Sequence, residues 1–167
     1  MIRSAFLFGI LLLLIAPLRG QTVQVFGAWR ESSVKWTRPP AELHLDERTA
    51  QTGLLYFGPD NQFALIYGTV IQGATWETLS HGDGRVVYLG TWTLDGTALR
   101  VGYRLVSRTV LKEGEKLPGP IEKKTIQPKG GGLFLDRMRF QREKGLDDQL
   151  LTVLQGERAR LGETGQP

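Results

Sequence analysis

The sequence predicts an all-β fold: a single antiparallel, up-and-down β-barrel followed by a short C-terminal helix. Two pairs of alternating apolar runs are joined by short segments with turn chemistry, Pro59-Asp60-Asn61 and Asp95-Gly96, which predict β-hairpins. Near the C-terminus, apolar residues recur at helical spacing instead, at Leu146, Leu150, Leu151 and Leu154. A β-sandwich built from the same hairpins is the alternative fold.

The N-terminus has the pattern of a secretory signal peptide. Arg3 supplies a positive charge, an apolar run extends from Ala5 to Ala16, and Gly20 is the small residue at the expected cleavage site. A run of about twelve apolar residues is too short for a stable membrane span, which needs about twenty. We therefore expect cleavage of residues 1–20 and a periplasmic or secreted protein. An uncleaved anchor and cleavage after Ala16 are the alternatives.

The rest of the chain is predicted to be one domain. Residues 21–156 form the barrel with its helix, and residues 157–167 form a disordered tail. The sequence contains no cysteine, which excludes disulfides, thiol chemistry and thiolate metal ligands. An exported domain without disulfides is more typical of a bacterial protein than of a eukaryotic extracellular one.

The first half of the domain is predicted to contain three β-units. Val23–Trp36 is an opening strand interrupted near Ser32, and Ala41–Asp46 is a short strand. A hairpin follows over Thr52–Ile71, because Pro59 favours the first position of a three-residue loop and Asn61 tolerates positive φ at the third. Its register pairs apolar residues on one face, Phe57 with Phe63 and Leu55 with Leu65.

A second hairpin is predicted over Arg85–Val106. A two-residue type I′ turn at Asp95-Gly96 would place Leu94 opposite Thr97. One face then carries the pairs Trp92 with Leu99, Gly90 with Val101, Tyr88 with Tyr103 and Val86 with Leu105. This face is apolar while the other is mixed, so we expect it to be buried.

The remaining elements are predicted from composition and spacing. Gly73–Gly84 and the Lys-, Gly- and Pro-rich stretch Glu113–Gly132 are predicted loops, and Leu133–Arg142 is a later strand. A helix over residues 146–156 has two aspartates in its first turn, where the helix dipole favours negative charge.

Two G-x-W motifs support a more specific interpretation. Gly27-Ala28-Trp29 lies near the expected mature N-terminus, and Gly90-Thr91-Trp92 repeats the pattern in the middle of the chain. In this the chain resembles small bacterial exported lipocalin-like (calycin-type) β-barrel domains of unknown function. The resemblance implies that Trp29 closes the barrel floor beneath a late arginine, for which Arg137, Arg139 and Arg142 are the candidates. The chain departs from true lipocalins in having no disulfide and no second family motif.

The apolar faces suggest a binding function. We expect an exported lipocalin-like module that holds a small hydrophobic or amphipathic ligand inside the barrel. The candidate lining residues are Leu55, Phe57, Phe63, Leu65, Tyr88, Trp92, Val101 and Tyr103. The tyrosines would add a polar group to an otherwise apolar cavity.

The distribution of charge supports an alternative function. Without residues 1–20 the net charge is +2, but residues 97–144 carry 12 basic and 5 acidic groups while residues 21–96 carry 5 and 8. The protein could therefore be a solidly packed envelope scaffold that contacts an anionic surface or protein through its basic 97–144 segment. A solvated outer face, whose lysines protect the sheet from aggregation, would give the same pattern. We expect no nucleic-acid partner.

Catalytic and metal-binding patterns are weak. Glu42, His44 and Asp46 alternate along one predicted strand, where neighbours on one face lie about 7 Å apart, too far to share a small ion. His81 lies in a predicted turn, and Lys129 with the glycines after it lacks the spacing of a phosphate-binding loop. We therefore predict no metal, no cofactor and no enzymatic activity.

Overall fold

Nine strands and one α-helix are present in the computed structural model, which describes residues 25–38, 47–80 and 84–162. The strands are β1 (Gly27–Glu31), β2 (Arg48–Phe57), β3 (Gln62–Gln72), β4 (Glu77–Leu79), β5 (Val86–Asp95), β6 (Ala98–Arg108), β7 (Glu122–Lys129), β8 (Gly132–Leu135) and β9 (Met138–Arg142). A short 3₁₀ turn, Lys144–Leu146, leads into α1 (Asp147–Arg160).

Eight of the strands close into a barrel. Apart from β4, each strand pairs antiparallel with the next one along the chain, and β9 pairs back onto β1. The additional strand β4 pairs with the end of β3. The structure thus confirms the predicted up-and-down antiparallel barrel with a C-terminal helix, and the closed ring excludes the sandwich.

The first hairpin has the predicted register. Phe57 lies opposite Phe63 and Leu55 lies opposite Leu65. In the loop between them, both Asp60 and Asn61 adopt positive φ, at 54° and 58°. These residue types tolerate that conformation, so the chain reverses here without a glycine at either position. The predicted interruption of the opening strand near Ser32 is the end of β1, and the predicted strand Ala41–Asp46 lies outside the described residues.

The predicted register of the second hairpin is wrong. Asp95 pairs with Ala98 and Leu94 with Leu99, so the loop is Gly96-Thr97. The β5 residues from Tyr88 onward face a residue two positions later than expected, and beyond a register shift between Val87 and Tyr88 the displacement is three. Gly96 has a φ of 62° and Thr97 is not among the described residues with positive φ, which is the pattern of a type II′ turn. A displacement of two residues leaves the alternation of side chains unchanged. The predicted inward face is therefore confirmed for the residues that belong to or pack against the inner cluster, Tyr88, Trp92, Leu99, Val101 and Tyr103, although its pairs are not. Val86 lies beyond the register shift and is only partly buried.

Two predictions about the second half of the domain are also wrong. The predicted loop Glu113–Gly132 contains β7, in which Ile126 is the one buried residue, so the strand shows no apolar alternation. Pro128 lies beyond the part of β7 that pairs with β6, where a strand tolerates proline. The predicted strand Leu133–Arg142 is a hairpin, because Asp136 has a φ of 54° and turns the chain between β8 and β9.

Helix α1 covers part of the outer surface of the barrel. Its fully buried leucines, with Leu146 of the preceding turn, pack on outward-facing residues of several strands, among them Leu54, Ile66 and Val87. The side chain of Gln149 ties the helix to β4, which lies in the predicted loop Gly73–Gly84: it accepts a hydrogen bond from the Leu79 N–H at 2.8 Å and donates one to the Glu77 carbonyl at 2.9 Å. Helix α1 and β4 therefore form an additional layer outside the barrel wall.

The helix also extends beyond its predicted end at residue 156. Residues 157–160 belong to α1 and not to the tail. The buried Glu157 accepts a hydrogen bond from Arg160 Nε at 2.8 Å, and Arg160 Nη2 donates to the Val106 carbonyl at 2.7 Å. These contacts hold the last turn of the helix on the barrel.

The second G-x-W motif supplies a stability test. A Cβ at Gly90 would overlap the Gly102 carbonyl oxygen on β6, and backbone cannot move aside cheaply. We expect Gly90→Ala to lower the free energy of unfolding by about 2–3 kcal/mol in urea denaturation. Gly156→Ala is the matched control. Its Cβ would meet open space on α1, so this change should raise stability by about 0.5–1 kcal/mol. Equal stabilities for the two variants would contradict the close approach of β5 and β6.

Candidate functional site

A series of aromatic rings runs through the barrel interior. The six rings touch in the order Trp92, Phe57, Phe63, Tyr103, Tyr88, Tyr67, with neighbouring centroids 5.3–6.4 Å apart. All five pairs are tilted or edge-to-face, which are favourable arrangements for aromatic rings. We call this series the aromatic column. It passes from apolar phenylalanine and tryptophan to tyrosine, so the two ends of the barrel differ in polarity.

All eight residues proposed to line a ligand cavity face the barrel interior. Seven are buried in one cluster, and Tyr88 is half-buried against it. The buried members are Leu55, Phe57, Phe63, Leu65, Trp92, Val101 and Tyr103. Leu55, Phe57 and Phe63 are completely inaccessible to solvent, because they pack on one another and on the rest of the core. Contact of these residues with a ligand stays a prediction.

The first G-x-W motif is fixed at the apolar end, which we call the floor. Trp29 is buried, and its Nε1 donates a hydrogen bond to the Val25 carbonyl at 2.8 Å. Gly27 has a φ of 101°, and a Cβ at this position would overlap the Arg142 guanidinium. The positive φ favours glycine here, and a Cβ would in addition displace the Arg142 side chain.

Arg142 joins this motif to the start of α1. Its guanidinium donates to both carboxylate oxygens of Asp147, at 2.8 and 2.7 Å, and to the Ala28 carbonyl at 2.8 Å. Asp147 also accepts the Ala28 N–H at 2.6 Å. The first strand, the last strand and the helix therefore meet in one charge-assisted hydrogen-bond network.

The three candidate arginines have different positions. Arg142 pairs with Trp29 in the β1–β9 register but uses its guanidinium on Asp147. Arg137 is exposed in the β8–β9 turn, and Arg139 lies 5.9 Å above the Phe134 ring. The cation–π contacts to tryptophan among the described residues are made to Trp36 by other arginines, Arg30 and Arg48.

The opposite end carries three tyrosines, which we call the tyrosine mouth. Tyr67, Tyr88 and Tyr103 lie on the adjacent strands β3, β5 and β6. Within the described part of the chain, none of their hydroxyls forms a hydrogen bond, and none is among the buried polar atoms without a partner. The Tyr67 and Tyr88 side chains are half-buried in the column, whereas Tyr103 is buried, with 4% of its surface exposed. Tyr67 extends the alternation of Phe63 and Leu65 along β3, a signal that the sequence prediction did not follow.

The mouth has acidic surroundings. Burial raises the pKa of the Tyr103 hydroxyl to about 12, and the nearby Glu122 carboxylate adds to this shift. Burial also raises the pKa of Tyr67. Tyr88 raises it further, and so do the Glu31 carboxylate and two other carboxylates nearby. These two hydroxyls are consequently protonated at neutral pH and available as hydrogen-bond donors. The surrounding carboxylates disfavour a bound anion.

The Tyr67 ring at the mouth occupies space that a glycine on β2 leaves free. A Cβ at Gly53 on β2 would lie 3.2 Å from Tyr67 Cε1 and 3.5 Å from Phe140 Cε1, so a larger residue would displace the Tyr67 ring. Lys124 approaches the same end of the barrel and places Nζ 3.3 Å from the Asp136 carboxylate. This exposed pair partly neutralises the acidic rim.

At the other end of the column, Trp92 Nε1 is buried and has no hydrogen-bond partner within residues 25–38, 47–80 and 84–162. An unpaired buried donor of this kind costs about 1–3 kcal/mol. The Trp92 ring contacts Phe26 and Phe57, at 5.4 and 5.8 Å between centroids. The indole is thus fixed by packing rather than by hydrogen bonding.

Other kinds of site receive no support from the described residues. Across these ranges, no group of three or more His, Cys, Asp or Glu side chains is arranged to hold a metal ion. No helix in the same ranges is both long enough and apolar enough to cross a membrane. Glu42, His44, Asp46 and His81 lie outside the described residues.

The tyrosine pKa values can be tested by ultraviolet titration. Because its pKa is about 12, Tyr103 should ionise late, and Tyr103→Phe should remove a high-pH phase that Tyr56→Phe retains. A raised tyrosine pKa stabilises the folded state fully below the unfolded pKa of about 10, and this stabilisation is lost as pH rises through about 12. Persistence of the whole late phase in Tyr103→Phe would contradict the assignment.

The floor network predicts a different dependence on pH. Burial acts to raise the pKa of Asp147, but the Arg142 side chain and the Ala28 N–H outweigh burial, so the pKa is lowered. The stabilisation is therefore present above the unfolded pKa of about 4 and is lost as pH falls below it. Asp147→Asn should cost about 1 kcal/mol at pH 7, since the pair is partly exposed, and little at pH 2.5. Asp148→Asn, in the same helical turn, is the control, and equal losses in both variants would show that the network is not responsible.

Comparisons with protein-family models, with curated proteins and with solved structures find no match to this chain.

Proposed function

We propose that the protein is an exported lipocalin-like (calycin-type) module that binds a small amphipathic ligand at the tyrosine mouth. One observation carries this proposal: three tyrosines converge at one end of a continuous aromatic column, and none of their hydroxyls forms a hydrogen bond to a described residue. Apolar surface beside a few convergent polar groups is the usual composition of a small-molecule site.

Packing determines how deep such a ligand would enter. Phe57 and Phe63 have no accessible surface, so they form the base of the site rather than its wall. Tyr67 and Tyr88 are half-buried and offer the accessible ring surface. The apolar part of the ligand would lie on these rings, with its polar end at the hydroxyls.

Electrostatics favours a neutral polar end. Glu31, Glu122 and Asp136 are the carboxylates that act on the Tyr67 hydroxyl from around the mouth. A hydroxyl or carbonyl group could accept hydrogen bonds from the tyrosines without meeting charge repulsion, whereas a carboxylate could not. We therefore propose a long-chain alcohol, ester or similar neutral amphiphile in preference to a fatty acid.

Export remains part of the proposal. The pattern of residues 1–20 supports it, and the absence of cysteine is compatible with folding in an oxidising compartment. Mass determination of the protein recovered from the periplasm or medium of an expressing bacterium would test both export and the cleavage site.

Ligand binding can be tested with the neutral fluorescent probe N-phenyl-1-naphthylamine and oleyl alcohol as competitor. We expect the alcohol to displace the probe more effectively than oleate does. Tyr103→Phe should raise the inhibition constant of the alcohol about 3–10-fold, the value of one neutral hydrogen bond. Tyr56→Phe is the matched control, because this remaining tyrosine lies in the outer cluster under α1.

Two results would overturn the proposal. Failure of the wild-type protein to enhance probe fluorescence would remove the binding site altogether. Equal effects of Tyr103→Phe and Tyr56→Phe on the inhibition constant would place binding elsewhere.

A further inference from the structure

The connection between β6 and β7, residues 109–121, exposes aliphatic side chains. We call it the 109–121 loop. Val110, Leu111 and Ile121 are 73%, 51% and 65% exposed, and they are three of the six large hydrophobic residues that are exposed in the described part of the chain. Such a concentration in one loop is unlike the single, scattered apolar residues of an ordinary protein surface.

Internal contacts hold the loop in shape. Arg108 Nη1 lies 3.1 Å from Glu115 Oε1, and the Lys112 N–H donates to Glu115 Oε2 at 3.1 Å. The Gly119 N–H donates to the Leu105 carbonyl at 2.8 Å, which fixes the returning half of the loop against β6. The ion pair and hydrogen bonds fix the backbone of the loop while its aliphatic side chains remain exposed.

Exposed lysines lie close to these aliphatic residues along the chain. Lys112, Lys116 and Lys123 are exposed, and none forms an ion pair with a residue that the structure describes. Glu115 is already paired with Arg108, so the exposed Glu113 is the remaining acidic group of the loop. Over residues 108–123, Arg108 and three lysines stand against Glu113, Glu115 and Glu122, so the balance is 4 − 3 = +1.

The basic surface continues beside Ile121. This residue borders a shallow groove of about 270 Å³ on the outside of the barrel. Arg104 and Arg158 line the groove together with apolar Leu89 and Val106. Two arginines therefore line the groove next to the loop, and the apolar Leu89 and Val106 beneath them are buried.

We infer that the 109–121 loop docks on an anionic lipid bilayer. Aliphatic side chains surrounded by lysines suit the bilayer surface, where the apolar groups enter the headgroup region and the lysines face anionic headgroups. A protein interface fits less well, because its core is enriched in Trp, Tyr and Arg and depleted in Lys, while Leu and Val are rare among its energetically dominant residues. Under this inference, the anionic partner predicted for the basic 97–144 segment is a lipid bilayer.

Docking would orient the barrel. Glu122, the residue after the loop, pairs with Tyr103 of the tyrosine mouth, so the loop borders the same end of the barrel. A docked loop would point the floor of the barrel away from the bilayer. This surface is independent of the proposed ligand site, and docking without probe binding, or the reverse, would separate the two.

A single environment-sensitive label tests the inference directly. Because the chain has no cysteine, Leu111→Cys can carry a nitrobenzoxadiazole group as its one label. On vesicles that contain phosphatidylglycerol we expect its emission to shift to the blue and gain intensity, with little change on pure phosphatidylcholine. The label at Thr97→Cys, an exposed position at the opposite end, should not respond. The apolar run Ala5–Ala16 is the same in both proteins and cannot cause a difference between them.

Charge and apolar variants complete the test through vesicle sedimentation. Lys112→Glu with Lys116→Glu should weaken binding at least about tenfold, whereas Lys129→Glu, in the same basic segment but at the floor end, should change it less than about threefold. Val110→Ser with Leu111→Ser should also weaken binding, with Leu94→Ser as the exposed control at the floor end. Equal responses of the two labels, equal losses in test and control variants, or no binding to anionic vesicles would each overturn the inference.

Discussion

The small cross-section of an eight-stranded barrel is the constraint on which the rest of this structure depends. Such a barrel leaves an interior that side chains can just fill, so each inward position has to be balanced against its neighbours. Here the interior is occupied by large aromatic rings, and glycine supplies the compensating space. Gly53 lies beneath the Tyr67 ring, and Gly90 lies opposite Tyr103 where β5 and β6 approach too closely for a side chain.

The two ends of the barrel separate stability from binding. At the floor, Trp29 and the Arg142–Asp147 pair unite the first strand, the last strand and the helix through hydrogen bonds, although Trp92 Nε1 at the same end has no partner among the described residues. At the mouth, the tyrosine hydroxyls have no such partners among the described residues, and the nearby connections are longer. Hydroxyl groups that the protein leaves without a hydrogen-bond partner are available to a ligand, while the Arg142–Asp147 network stabilises the fold at the other end.

The sequence allowed the faces of the strands to be predicted better than their pairing. Alternation placed all eight proposed lining residues inside the barrel, because a strand has the same period wherever it pairs. It could not detect the displacement of two residues at Gly96, since that displacement preserves the faces. Strand β7 was missed because one inward residue, Ile126, gives no alternation to detect. The role of Arg142 depends on Asp147 lying across the barrel rim, a contact that spacing alone does not reveal.

Pairing of β1 with β9 also limits the order in which the fold can form. The ring of strands closes where Trp29 of β1 pairs with Arg142 of β9. The barrel therefore cannot close until the more than one hundred residues between them have been made. If the chain crosses a membrane, these residues must also have reached the same side of it. Until then, the edges of β1 and β9 offer unpaired backbone groups to other chains. A chain that emerges with its N-terminus first would therefore expose an unpaired sheet edge until β9 is available. A chaperone that covers β1 would protect the chain from aggregation during this interval.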